Sequence, residues 1–321
     1  MNHWDVLTFG EPLVNFVAEN EGPVHDVVHF IRSLGGAETN VAVGLSRLQR
    51  SVALITQLGS DILGDYTISV LQKEGVDVSL ITRGESEYTG YQFKTKAIKG
   101  DPEIHYCRRN SAASKVKWRN SLIDAIREAS HVHLTGIPLA LSNSTRAVSA
   151  EILEVSRQYG IPVTFDPNLR PVLWSSEHEM VTTVNKYAVL ADIVMPGIRE
   201  GQILTGFQEP RDIAGFYLNK EVRLVIVKLG PEGAYYRSHE EEGIVAGFTV
   251  PKVVDTVGAG DGFAVGVIDA LLDGLPVREA VRHGCAVGAM AVMSEGDLDG
   301  LPNITTLSAF MNSNLGRMST C

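Results

Sequence analysis

Cysteine is scarce. Cys107, Cys285 and Cys321 are the three in 321 residues, scattered and odd in number, so neither a disulfide framework nor a cysteine zinc site is implied. Long apolar runs are missing too. No run reaches membrane-spanning length, and Met1-Asn-His-Trp-Asp5 offers neither a basic leader nor an apolar core. A cytoplasmic location away from membranes is the expectation. Positive charge is in deficit, with 28 Lys and Arg against 38 Asp and Glu, net −10. That balance argues against a nucleic-acid or anionic-membrane surface and leaves room only for a local basic pocket. Among the histidines, only His131-x-His133 approaches a metal spacing. Those two alternate along a predicted strand and read as packing residues. No nucleophile elbow stands out. No repeat, low-complexity tract or linker divides the chain, so residues 1–321 read as one domain.

What is present is organised around Asp255-Thr-Val-Gly258-Ala-Gly260-Asp261-Gly262. The segment from Gly247 to Val254 before it is strand-like. Phe263 to Asp273 after it is apolar at helical spacing and is stopped by Gly274 and Pro276. The whole reads as strand, glycine turn and helix N-terminus. Glycines 258 and 260 remove Cβ atoms and permit positive φ, so successive amides can point into one concavity. The helix dipole adds positive character there, which suits an anion, most often phosphate. Asp261 is out of place in an anion nest unless it does other work. A proton acceptor beside a phosphate is what phosphoryl transfer to a hydroxyl requires. The plain alternative is a glycine turn with a capping Asp. Neither this stretch nor Gly35-Gly36 is a G-x-G-x-x-G or a G-x-x-x-x-G-K-[ST] loop, so Rossmann dehydrogenases and Walker-type NTPases lose support.

Along the chain, strands are expected at 6–9, 14–17, 27–31, 51–58 and 76–81, with helices at 41–48 and 64–74. This is the alternation of a parallel, doubly wound sheet. It breaks near 88–108, where 89–96 and 103–107 flank Lys99-Gly-Asp-Pro102, a hairpin signal. Such a hairpin is either an edge decoration or a flap over a site. Alternation then resumes, with strands at 129–135, 162–165, 193–195, 224–228 and 234–237. Helices are expected at 142–159, 177–190, 199–204 and 279–293, the last rich in small residues and expected to pack closely on the sheet.

Gly35-Gly36 before Asn40, at the mouth of a helix, reads as a second close-approach site or as a capped turn. Arg108 and Arg170 follow predicted strands, whose ends line the ligand crevice of an open α/β sheet. A guanidinium fork matches a carboxylate or phosphate, although each could serve a surface ion pair instead. Tyr91, Gln92 and Tyr106 share the hairpin and either face a sugar or stabilise the hairpin itself.

Gly35-Gly-Ala-Glu-Thr-Asn-Val-Ala42 and Asp255-Thr-Val-Gly-Ala-Gly-Asp261, in this order and separation, resemble the PfkB, or ribokinase-like, carbohydrate kinases. The resemblance runs over nearly the whole chain. It implies a three-layer α/β/α sandwich with a mostly parallel central sheet and a small β lid, here segments of roughly 12–34 and 88–110. By position, it implies Asp261 as catalytic base and the amides of Val257, Gly258, Ala259 and Gly260 as the anion hole. It implies Gly35, Gly36 and Asn40 as sugar contacts, and Lys228, Gly230, Gly233 and Cys285 beside the nucleotide. ATP and Mg2+ are the implied cofactors, with a place for a monovalent cation and Glu200 near the metal and phosphates.

Within the family the likeness is to 2-keto-3-deoxygluconate kinases, through Thr89-Gly90, Tyr106-x-Arg108 and Asp166-Pro-Asn-Leu-Arg170. That implies acid-sugar contacts at Tyr106, Arg108 and Arg170. Fructose and 5-keto-2-deoxygluconate are the alternative acceptors, and a silent sugar-binding relative is the distant one. Gly197-Ile-Arg-Glu200 replaces the family's usual Asn-x-x-Glu, Gln92 a frequent Tyr, and Cys285 a frequent Asn. An exposed lid strand able to pair with a second copy makes a homo-oligomer the expectation.

Overall fold

A computed structural model describes residues 4–96 and 103–318. In chain order the elements begin with β1 (Trp4–Phe9), β2 (Leu13–Ala18), β3 (Phe30–Gly35), α1 (Ala37–Arg47), β4 (Val52–Gly59), α2 (Ile62–Lys73) and β5 (Ile81–Gly84). There follow β6 (Tyr91–Lys94), β7 (Ile104–Cys107), α3 (Ser121–Arg127), β8 (Ala129–Thr135), α4 (Ile137–Leu141), α5 (Asn143–Tyr159), β9 (Val163–Asp166) and α6 (Glu177–Ala188). The chain ends with β10 (Ile193–Val194), α7 (Ile198–Thr205), α8 (Pro210–Leu218), β11 (Leu224–Lys228), β12 (Ala234–Ser238), β13 (Glu242–Val245), α9 (Ala259–Leu272), α10 (Val277–Ala291) and α11 (Ile304–Met318).

Nine strands form one sheet in the order β13-β12-β11-β10-β9-β8-β1-β4-β5. Pairing is parallel from β5 to β11 and antiparallel only through β12 and β13. The apolar strand runs follow from burial on both faces. Along β1, Leu7 and Phe9 enter one core with residues of α3, α5, α6 and α8, while Val6 enters a second with α1, α9 and α10. This alternation creates the three layers. A second sheet, in the order β3-β2-β6-β7, stands apart from the first. It is the small β-sheet beside the main one, joined through parallel pairing of β2 with β6.

Several boundaries differ from expectation. Residues 247–254 form no strand, because β13 already ends the sheet at Val245 and Pro251 lacks an amide donor. The amide of Val254 instead donates to the carbonyl of Val292 at the end of α10. The strand expected at 76–81 lies at 81–84, because Asp77 turns the chain by capping the amide of Ser79 and bonding the Trp4 indole. The strand expected at 27–31 starts at Phe30, after a 3-10 turn at 24–26. Helices α1 and α9 begin earlier than their apolar stripes, inside the glycine motifs. The small residues of α10 serve chiefly to approach α9: Gly266 leaves no room for a side chain against the His283 carbonyl, nor Gly284 against Phe263 and Val267. The hairpin strands β6 and β7 are antiparallel as expected; the turn at 99–102 lies outside the described residues.

Candidate active site

The carboxyl ends of the central parallel strands point at one place. Glu11 follows β1, Asp166 ends β9 and Lys228 ends β11, and all three line a cavity of about 540 Å3. Strand ends collect ligands in open α/β sheets because the connecting loops diverge there. The lid supplies the opposite wall, with Gln92, Lys94, Tyr106 and Arg108. A second cavity of about 290 Å3 is apolar, lined by Pro231, Phe248, Val250, Val253, Phe263, Cys285 and Ala289 together with Gly230 and Gly233. The two cavities share Lys228, Thr256 and Gly260, so the glycine nest is the passage between them.

Gly258 caps α9 with φ +80°, a left-handed conformation that glycine adopts without strain. Of the four amides expected in the anion hole, Val257 is already committed, donating to Asp255 Oδ1 at 3.0 Å, and Ala259 donates weakly to Thr256 O at 3.4 Å. Asp255 forms the tight turn that shapes the nest and spends one amide on it. Among the described residues, the amides of Gly258, Gly260 and Asp261 have no protein acceptor. These are the unsatisfied donors of a helix start.

Asp261 faces the polar cavity from the first turn of α9 and is 9% exposed. Its Oδ2 accepts from Asn40 Nδ2 at 2.7 Å and its Oδ1 from Asn168 Nδ2 at 3.2 Å. Burial pushes its carboxyl from the ordinary 3.8 up to about 6; Asp166 adds to the rise, while Asn40, Arg170 and Lys228 oppose it. A base poised there is ionised at neutral pH and can still take a proton. Gly36, with φ +110°, lets α1 start against the Glu11 carbonyl and so delivers Asn40. Lys228 stands closer to the reacting centre than a nucleotide-loop position implies. Its Nζ donates to Asp166 Oδ2 at 2.6 Å beside Gly260. Burial opposes its charge, but Asp166 and Glu200 outweigh that and hold its pKa above the ordinary value.

The two arginines are not equivalent. Arg108 is 5% exposed and donates from Nε at 2.6 Å to Glu11 Oε2, whose other oxygen takes the Ser111 hydroxyl. Its guanidinium also sits 5.5 Å over the Tyr106 ring. Arg170 lines the same cavity but hydrogen-bonds only to the Leu169 carbonyl, with no carboxylate partner among the described residues. Lys94 and Lys228 are paired with Asp297 and Asp166. Among the described residues, Arg170 is thus the cavity cation without a carboxylate hydrogen-bond partner, although its charge is felt by Asp261.

Two expected sugar contacts fall elsewhere. Tyr91 alternates with Gln92 along β6 and points to the lid's other face, where its ring meets Phe16, Phe93 and Tyr88. Gly35 does not line the cavity; it clears space for the Asp297 carboxylate. Glu200 does line it, but each of its oxygens already holds a backbone amide, Leu169 at 2.7 Å and Gly197 at 2.8 Å. It thereby braces the 166–170 segment, and burial raises its pKa. Cys285 is a neutral wall of the apolar cavity, its thiol pushed by burial to about 12. His131 and His133 are packing residues: both are buried, bonded to the Thr164 hydroxyl and pushed by burial to about 3.

Sequence reasoning passed over Glu11, Glu38, Lys94 and Asp297. Glu11 stands two residues beyond the end of β1, which was a usable signal. Glu38 is fully buried in the first turn of α1, with Thr135 donating to Oε1 while Oε2 has no partner. Burial pushes it to about 7.

A lidded polar cavity holding a poised carboxylate, joined through an amide nest to an apolar slot, defines a phosphotransferase for a small polar acceptor. Comparison with known proteins makes this specific. The pfkB family carbohydrate kinase model matches residues 5–304, and the chain belongs to that family. A 2-dehydro-3-deoxygluconokinase of Bacillus subtilis (strain 168) is 45% identical over 310 residues, covering 96% of each chain. A PfkB protein from Polaromonas sp. JS666 superposes with a TM-score of 0.89 at 42% identity, covering 95% of this chain and 99% of that one. A putative ribokinase II from E. coli, solved in complex with ATP and Mg2+, does so at 0.87 and 28% identity, covering 97% and 99%.

Proposed function

We propose that the protein transfers the terminal phosphoryl group of ATP to the 6-hydroxyl of 2-keto-3-deoxygluconate. The observation that carries the reading is Arg170, the lining cation that among the described residues hydrogen-bonds no carboxylate, in a cavity that also holds Asp261. An acid sugar brings one carboxylate, and a guanidinium without a partner is its natural receptor. A neutral ketose brings no carboxylate to that guanidinium. The Bacillus subtilis relative is named for this activity.

In this reading the apolar slot takes the adenine and the nest amides of Gly258, Gly260 and Asp261 take the transferring phosphoryl group. Asn40 and Asn168 hold the Asp261 carboxylate so that it orients the acceptor hydroxyl and receives its proton. Lys228 adds positive charge at the passage between the cavities. Positioning and preorganised charge account for most of the acceleration. Mg2+ suits the donor set, since Asp166 and Glu200 line the cavity beside the nest, and magnesium takes one or two carboxylates plus phosphate oxygens and water. Those residues would hold it, and it would offset phosphate charge.

An ADP-coupled assay across 2-keto-3-deoxygluconate, 5-keto-2-deoxygluconate, fructose and ribose tests the reading. The first acceptor should exceed fructose in kcat/KM by at least about 10²-fold. A neutral sugar as the preferred acceptor would overturn it.

A further inference from the structure

Two side chains of the lid end on one residue of the body, and a third joins them through one of the two. Lys94 Nζ of β6 donates to Asp297 Oδ1 at 2.7 Å, and Asn15 Nδ2 of β2 donates to Asp297 Oδ2 at 3.1 Å. Gln92 Nε2 donates in turn to Asn15 Oδ1 at 2.6 Å. All of this is out of water: Lys94 is 5% exposed and Asp297 6%. Gly35, at the end of β3, exists without a side chain where Asp297 Oδ2 lies. On its other side, the Asp297 carbonyl would stand 3.1 Å from any Cβ at Gly258, the residue that caps the nest. Gln92, Lys94 and Asp297 also line the polar cavity.

We propose that Asp297 is a positioning residue for the acceptor sugar: it fixes Gln92 and Lys94, the lid's face of the cavity, in register with the phosphoryl nest. The inference rests on the reading of this cavity as the acceptor site. Its chemistry is that of a buried network referenced at both ends. The carboxylate neutralises a desolvated ammonium and orders two amide side chains, while the backbone of the same residue seats against Gly258. Removing one charge leaves the other buried without a partner, whereas removing both does not. The apolar slot has no member of this network among its lining residues, so the effect belongs to the acceptor and not to ATP.

The test compares Asp297→Asn, Lys94→Met and the double variant in steady state. Each single variant should raise the KM of the sugar by about 10-fold or more. The KM of ATP should stay within about twofold and kcat should move less than the sugar KM. The double variant should be no worse than either single, as coupled residues are non-additive. Sugar and ATP KM rising together, strictly additive effects, or variants within twofold of wild type would each overturn the proposal. Thermal melts run alongside separate a loss of folded enzyme, which lowers the active fraction without splitting the two KM values. If wild type prefers another acceptor than 2-keto-3-deoxygluconate, the same KM split measured with that acceptor still decides the role of Asp297, so the two readings fail separately.

Discussion

Asp261→Asn should make the protein more stable while silencing it. The carboxylate is buried, and its rise from 3.8 to about 6 means that the folded state holds its proton more tightly than the unfolded chain does. The sign follows from proton linkage. Below the unfolded value both states are protonated and nothing is lost. As pH rises from 3.8 through 6 the unfolded chain ionises freely while the folded state resists a desolvated charge, so stability falls and then levels off. A shift of about two units at about 1.4 kcal/mol each amounts to about 3 kcal/mol at neutral pH. An amide in its place carries no charge, and Asn40 still donates to its oxygen. Asn168, which donates to Oδ1, would meet the new NH2 group and return about 1 kcal/mol of that gain. A net stabilisation of about 2 kcal/mol at pH 7.5 is expected, or about 2–5 °C in Tm, with turnover down at least about 10²-fold. Differential scanning calorimetry of both proteins at pH 7.5 and pH 5 checks it. The gain should fall below half at pH 5, where the wild-type carboxyl is largely protonated. A gain equal at both pH values, or none at pH 7.5, would refute the assignment of a desolvated base.

Arg170→Ala should lower kcat/KM for the acid sugar by about 10²-fold or more while leaving a neutral acceptor within a few-fold; equal losses on both would remove the carboxylate role. Arg108→Ala should behave differently from what a second carboxylate contact implies. It strands the buried Glu11 charge, so stability should drop by about 3–5 kcal/mol in denaturant titrations and all acceptors should suffer alike. For Glu38, raised by burial from 4.5 to about 7, the stabilisation is fully present below 4.5, is lost as pH rises from there through 7, and is level above. Wild-type Tm should therefore decline between about pH 4.5 and 7, and Glu38→Gln should flatten the decline; an unchanged slope would show that the carboxyl does not titrate there.

Much of the fold was legible because local physics and tertiary context agree along most of the chain. Parallel strands buried on both faces are mostly apolar, so β4 and β11, with Val52-Ala-Leu-Ile55 and Leu224-Val-Ile-Val227, announce themselves. Ser142 and Gly160 bracket α5 with capping chemistry that needs no context. Where the two diverged, context won. Residues 247–254 have the composition of a strand, yet the sheet already has its edge, and Val254 pairs with a helix end. Tyr91 was assigned to the sugar by its place on the hairpin, but a period of two turns it to the opposite face from Gln92. Composition does not reveal which face is inside.

By itself the sequence determined the glycine turn and the carboxylate beside it. Gly258, Gly260 and Asp261 are adjacent in the chain, and their geometry is the local one of a helix start. Only the tertiary structure decided how the charges around them are spent. Glu11 reaches Arg108, Asp166 reaches Lys228 and Asp297 reaches Lys94 across separations of 97, 62 and 203 residues. Ion pairing in a desolvated cavity is a property of distance and burial, neither of which is written along the chain. Among the described residues that pairing leaves Arg170 without a carboxylate hydrogen-bond partner, the feature on which the proposed acid preference rests.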